Sequence, residues 1–143
     1  MMDDVLLNKS AVVRRCLARI REDYRGDKSR LDDFTIQDAI VLNLLRACEA
    51  CIDLAMHGVA RNRLGIPQTS RDAFGLLLTN GSIGSSTAQA MKNMVGFRNI
   101  AIHSYQELQR PILEAILDRH LADFETFLQE VMPPSGRNRT NRE

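Results

Sequence analysis

The chain has 143 residues, of which 44% are hydrophobic and 26% charged, and its formal net charge is +1. This length suits one domain that buries a sizeable core, and the near-neutral charge singles out no class of partner. No apolar run approaches the roughly 18 residues of a membrane-spanning helix, and the acidic start, Met1-Met2-Asp3-Asp4, is unlike a basic signal peptide. We therefore expect no membrane partner.

Three cysteines, Cys16, Cys48 and Cys51, indicate no secreted disulfide framework, because their number is odd and their context is apolar and helical, and this favours a reducing cytoplasm. Cys48 and Cys51 form a C-x-x-C pair, but no second ligand pair accompanies it. Small core residues on a helix are therefore the preferred interpretation, with a redox or zinc role as the alternative.

The first predicted helix covers Val5 to Tyr24, where apolar residues recur at helical spacing. Residues 1–30 contain eight Lys and Arg against five acidic residues. A basic face of this kind could bind a phosphate backbone, and the alternative is a solvated helix face.

The second helix is predicted to start with a capping box at Thr35-Ile-Gln-Asp38 and to run without Gly or Pro until Gly58. Both of its flanks are apolar, which is typical of a central helix. A short helix capped by Ser70 follows and stops at Asn80-Gly81.

A second capping box, Ser86-Thr-Ala-Gln89, is predicted to open the next helix, and Pro111 suits the first turn of the last one, which ends at Pro133-Pro134. The sequence thus predicts an all-α bundle of four main helices plus one short helix. We assign residues 1–134 to this domain and expect residues 135–143 to form a disordered basic tail.

The most unusual segment holds Arg98, Asn99, His103 and Tyr105 within eight residues of an otherwise apolar helix. Asn99 and His103 are four apart, so the amide could orient the imidazole. Arg98 and His103 are five apart, which is about 140° around an ideal helix. Either the helix ends or bends near His103, or a second copy of the chain completes the site, as in a symmetric dimer.

This set of groups suits phosphodiester cleavage without a metal or other cofactor. An arginine fork binds phosphate oxygens, and a histidine can take a 2′-hydroxyl proton or protonate a leaving oxygen. The alternative is that Arg98 and His103 are polar groups at a helix end, supported by a carboxylate such as Glu107. The apolar residues Ile100, Ala101 and Ile102 indicate that this part of the helix is packed, where polar groups need partners or a function.

Arg98-Asn-Ile-Ala-Ile-His103-Ser-Tyr105 resembles the R-x4-H-x-Y motif of HepT-type toxins in the HEPN superfamily. The resemblance covers most of the chain: Asn8-Lys9, the helix from Asp38 to Asp53, the segment Leu64 to Phe74, and Met94 to Arg98 are also similar to that family.

The resemblance implies a HEPN-like fold and a homodimer with its two motifs in a shared cleft. It also implies the toxin of a type VII-like toxin–antitoxin system, a metal-independent endoribonuclease that cuts RNA such as tRNA or mRNA. Arg98 and His103 would be its catalytic residues and Asn99 a supporting one. Tyr105 would be the residue that a cognate MNT-type nucleotidyltransferase antitoxin modifies with AMP.

Two further classes of function stay open at this point. One is a non-catalytic HEPN module that binds RNA or nucleotide, or that assembles with a nucleotidyltransferase. The other is a structural four-helix protein without a site. For Glu49 and Asp53 on the central helix, we prefer ion pairs with arginine side chains over a place in the cleft.

Overall fold

The computed structural model describes residues 3–132, and its regular elements in that range are all helical. The helices are α1 (Asp4–Tyr24), α2 (Phe34–Arg61), α3 (Ser70–Thr79), α4 (Ser85–His103), α5 (Arg110–Ala115) and α6 (Leu121–Val131). A π-helical turn, Ile116–His120, joins α5 to α6, so these three segments form the single last helix expected from the sequence. The all-α bundle of four main helices and one short helix, α3, is therefore confirmed.

Helix α2 is the centre of the bundle, as its apolar flanks predict. It packs against α1, α3, α4 and α6. Small residues on α2 (Ala47, Cys48, Ala50 and Cys51) are all buried and let the neighbouring helices approach closely. Both thiols are free, and burial raises the pKa of Cys48 to about 12. Core packing therefore accounts for the C-x-x-C pair.

Aromatic packing joins the short helix to the last one. Phe74 on α3 and Phe127 on α6 are fully buried, with ring centroids 5.4 Å apart in an edge-to-face arrangement. Glu130, one turn further along α6, accepts hydrogen bonds from the Gly84 backbone N–H and the Thr87 hydroxyl, each at 2.8 Å. These contacts fix the start of α4 and hence the helix that carries the motif.

The predicted capping residues were wrong at three helix starts, because each helix begins earlier than its sequence pattern indicates. Asp33, rather than Thr35, caps α2 by accepting from the backbone N–H groups of Thr35 and Ile36. Thr69 caps α3 in place of Ser70. Gly84 is the cap position of α4 in place of Ser86. The Glu130 carboxylate accepts from the Gly84 N–H there, so no capping box is formed at Ser86.

No helix within residues 3–132 is long and apolar enough to cross a membrane. The predicted disordered tail, 135–143, lies outside the described residues.

Candidate active site

The motif occupies the C-terminal end of α4 and the turn that follows it. The helix is unbroken through His103, and Ser104, with φ −147°, ends it. The separation of about 140° between Arg98 and His103 therefore holds in the structure. The Arg98 side chain is only 17% exposed, whereas His103 is exposed and has no hydrogen-bond partner within the described part of the chain.

Arg98 is held by one group from each of three helices. Its Nη2 donates to Ser70 Oγ on α3 at 3.1 Å, and its Nη1 donates to Asn99 Oδ1 on α4 at 3.1 Å. Its Nε lies 3.3 Å from Glu49 Oε2 on α2 but makes no hydrogen bond there. A guanidinium has five N–H donors; the Nε–H is buried beside Glu49, so one N–H on Nη1 and one on Nη2 remain available for a phosphate once these neighbours have fixed the plane.

The expected partner of Asn99 within the motif was wrong, and the carboxylate suggested in the structural alternative is a different residue. The Asn99 amide oxygen accepts from Arg98, so this residue positions the guanidinium rather than the imidazole. The carboxylate beside Arg98 belongs to Glu49 on α2, not to Glu107 in the turn after α4. Helix packing brings Glu49 to Arg98, and Asp53, one turn later, pairs with Lys9 at 2.8 Å. The predicted arginine partner is thus confirmed for Glu49, whereas the partner of Asp53 is a lysine.

Tyr105 is connected to the central helix through its phenol. Its hydroxyl donates to Asp38 Oδ1 at 2.6 Å, and the side chain remains 39% exposed. Burial, and then the hydrogen bond to Asp38, raise the pKa of Tyr105. The neutral phenol is therefore the stable form, at a place that a modifying enzyme can reach.

The isoleucines within the motif are not packed in the single chain, contrary to expectation. Ile100 and Ile102 are 40% and 47% exposed, because only Ala101 between them faces the core. Ile100 lines a groove of about 1040 Å³ between α4 and α5, together with Ile112, which is 44% exposed. An apolar surface thus lies directly beside the motif.

Sequence reasoning missed Ser70 and Asp38 as site residues. Each belongs to another helix and reaches the motif only through tertiary packing, so no local pattern points to it. Within residues 3–132, no group of three or more His, Cys, Asp or Glu side chains is arranged to hold a metal ion.

Comparison with known proteins identifies relatives of the whole helical region. A family model described as ribonuclease HepT-like matches residues 13–131. An mRNA nuclease HepT from Shewanella oneidensis is 48% identical over 131 residues, which are 91% of this chain and 98% of that protein.

Solved structures show the same similarity at the level of the fold. The tri-AMPylated Shewanella oneidensis HEPN toxin in complex with MNT antitoxin gives a TM-score of 0.86 at 48% identity, covering 91% of this chain and 98% of that one. A crystal structure of a toxin–antitoxin with AMP-PNP gives 0.86 at 47% identity, covering 90% and 98% of the two chains.

Proposed function

Because this chain belongs to the HepT-like ribonuclease family, we propose that it is a toxin that cleaves RNA and is silenced by a nucleotidyltransferase antitoxin. Its Shewanella relative is named an mRNA nuclease, and mRNA is accordingly the first substrate to test. Structures of related toxins with their antitoxins support the same pairing here. An RNA substrate and three free thiols favour the cytoplasm.

The fixed guanidinium of Arg98 is the observation that carries the catalytic proposal. Ser70, Asn99 and Glu49 hold its plane, while N–H donors stay available for the non-bridging oxygens of a phosphodiester. Donors that are already oriented need little reorganisation when negative charge develops in the transition state. Arg98 therefore binds the scissile phosphate and stabilises that charge.

His103 supplies the proton transfers without a metal ion. The imidazole takes the proton of the ribose 2′-hydroxyl, and the 2′ oxygen attacks phosphorus as the bond to the 5′ oxygen breaks. The imidazolium then gives its proton to the leaving 5′ oxygen. The products are a 2′,3′-cyclic phosphate and a 5′-hydroxyl end. His103 is exposed at the end of α4, so an incoming RNA strand can reach the imidazole.

Replacing each catalytic residue tests this assignment. Arg98→Ala and His103→Ala should each abolish RNA cleavage and growth inhibition while the helical content is retained. His120→Ala is the matched control, because this exposed histidine pairs with Asp123 and lies outside the motif. Cleavage that survives in either motif variant would refute the assignment, and RNA binding without cleavage by the wild type would favour the non-catalytic alternative.

A homodimer would bring the arginine and the histidine of the motif together. Arg98 and His103 diverge on one continuous helix, and the exposed Ile100, Ile102 and Ile112 provide an apolar surface beside them that a second copy can cover. Arg98 of one copy then works with His103 of the other.

Mixing two inactive variants tests this arrangement. Dimers formed from Arg98→Ala and His103→Ala chains contain one intact composite site, so reassociated mixtures should regain about a quarter of the wild-type cleavage under random pairing. Mixtures that dimerise yet stay inactive would place both residues of a site in the same chain.

Tyr105 is the proposed position of silencing. The antitoxin would transfer AMP from ATP to the phenol oxygen, with release of pyrophosphate, and the phenol proton would pass to a base. The added AMP brings bulk and negative charge to the motif, where the phosphates of RNA must bind. The exposed phenol and its distance of 2.6 Å from Asp38 support this role.

Mass spectrometry of two variants tests the modification site. The chain has two tyrosines, and Tyr24 is buried and donates to Asp118, so it is the internal control. After incubation with antitoxin and ATP, Tyr24→Phe should still gain AMP, whereas Tyr105→Phe should not. An AMP mass on Tyr105→Phe would move the modification elsewhere.

A further inference from the structure

A small pocket between α1 and α2 is lined by three arginines and lies outside the motif. Arg15 and Arg19 come from α1, and Arg46 comes from α2. The pocket measures about 200 Å³, and Asn43 is a further lining residue that is itself 7% exposed. We call this cavity the arginine pocket.

The three guanidinium groups have no counter-ions within residues 3–132. None of them forms an ion pair or hydrogen bond there, whereas Arg21 pairs with Glu125 and Arg98 contacts Glu49. No carboxylate lines the pocket. All three guanidinium groups lie around the buried thiol of Cys16, which also lines the pocket. Burial raises the pKa of Cys16, and the three positive charges oppose that rise. Uncompensated like charges around one cavity favour an anionic ligand.

The chemistry of the pocket indicates which anion it takes. At about 200 Å³ the pocket is smaller than ordinary small-molecule sites, and a single phosphate group fits inside it among the three arginines. Arginine forks match the oxygens of phosphate, and Asn43, which uses Nδ2 to donate to the Ala39 carbonyl, retains a second N–H for an oxygen.

The arginine pocket opens on the same face of the bundle as the motif. Exposed residues of α2 follow one another at spacings of three or four: Asp38, Leu42, Arg46, Glu49 and Asp53. On this stripe Asp38 binds Tyr105 and Glu49 contacts Arg98. Arg46 precedes Glu49 by one turn, or about 4.5 Å along the helix axis.

We propose that the arginine pocket binds a backbone phosphate of the RNA strand whose scissile phosphate lies at Arg98. The proposal rests on the ribonuclease function and adds a second contact to it, across α2 from the motif. A strand held at both points is aligned before cleavage, which improves binding of long RNA. A dinucleotide, which ends before it reaches the pocket, gains nothing from it.

The test compares RNA binding and cleavage in a triple variant, Arg15→Gln, Arg19→Gln and Arg46→Gln. In a His103→Ala background, which prevents cleavage, its affinity for a long single-stranded RNA should fall about tenfold. The slope of log affinity against log salt should also shrink, by about 0.7 for each phosphate that the variant no longer binds. In the otherwise wild-type enzyme, KM for long RNA should rise while dinucleotide cleavage stays unchanged.

The matched control is Arg14→Gln, which removes a charge from the same helix on the side that faces Glu125. It should bind and cut long RNA like the wild type. Equal RNA affinity and equal salt slope in the triple variant would overturn the proposal, as would an equal loss in the Arg14 control. A triple variant that binds RNA normally but is no longer AMPylated would assign the surface to the antitoxin and equally overturn it. Failure of the wild type to cut any RNA would instead refute the proposed function.

Discussion

Thr69 and Ser70 are neighbours with separable roles, one in stability and one in activity. Thr69 Oγ1 accepts from the Asp72 N–H at 3.1 Å and caps α3, whereas Ser70 Oγ accepts from Arg98 at 3.1 Å. Replacing each with alanine removes one hydrogen bond of similar length from adjacent positions. The two variants should therefore fail in different assays.

The magnitudes follow from what each hydroxyl contacts. Loss of an N-cap costs about 1 kcal/mol, so Thr69→Ala should lower Tm by roughly 3–5 °C for a chain of this size. Ser70→Ala removes a hydrogen bond to the charged Arg98 side chain, which is 17% exposed. A hydrogen bond of this kind contributes about 1–2 kcal/mol to holding the guanidinium in place. That loss corresponds to a fall of roughly 5- to 30-fold in kcat/KM for RNA.

Thermal melts and initial-rate RNA cleavage measure the two effects on the same preparations. Thr69→Ala should keep near wild-type kcat/KM at a temperature well below its Tm, whereas Ser70→Ala should lose kcat/KM even at a temperature where it is fully folded. Ser70→Thr, which retains a hydroxyl, should recover most of the activity. If Ser70→Ala cuts RNA at the wild-type rate, the hydrogen bond to Arg98 contributes nothing to catalysis and the positioning argument fails.

Three further predictions concern the tyrosine switch, acid stability and the core. Asp38→Asn should lower the pKa of Tyr105, because the carboxylate that stabilises the neutral phenol is removed; an NMR titration that shows an unchanged or higher pKa would contradict this. His57 lowers the pKa of Asp3 below its ordinary value of 3.8, so this pair stabilises the fold above that pH and the benefit is lost as pH falls through the lowered pKa. Denaturant midpoints of wild type and Asp3→Asn should accordingly differ near neutral pH and converge in acid. A difference between the two midpoints that does not change with pH would refute the stabilising role of the pair. Phe127→Ala should lower the free energy of unfolding by about 3–5 kcal/mol, since that ring is fully buried, and a loss below about 1 kcal/mol in urea unfolding would contradict the packing.

Helical periodicity was sufficient to predict the architecture but not the helix starts. The buried face of α4, from Ala88 through Met94 to Ala101, agrees with the spacing of its apolar residues. The S/T-x-x-D/Q patterns at Thr35 and Ser86 were misleading, because the chain enters each helix two residues earlier. A cap depends on where the backbone turns, and a side chain from another helix can replace it, as a glutamate on α6 does at the start of α4.

The motif itself was evident from the sequence, whereas its supporting contacts were not. Ser70 precedes Arg98 by 28 positions and Asp38 precedes Tyr105 by 67, so both hydrogen bonds depend on how α2 and α3 pack on α4. The exposure of Ile102 was also missed, since apolar residues on a helix indicate burial without telling which molecule covers them.

The most direct test of the proposed mechanism is the chemistry of RNA cleavage in the presence of a chelator. With excess EDTA, the wild type should cut single-stranded RNA at an undiminished rate and leave 2′,3′-cyclic phosphate and 5′-hydroxyl ends, while His103→Ala produces none. Inhibition by EDTA that Mg²⁺ reverses, or products with 5′-phosphate ends, would contradict cleavage by Arg98 and His103 through the 2′-hydroxyl.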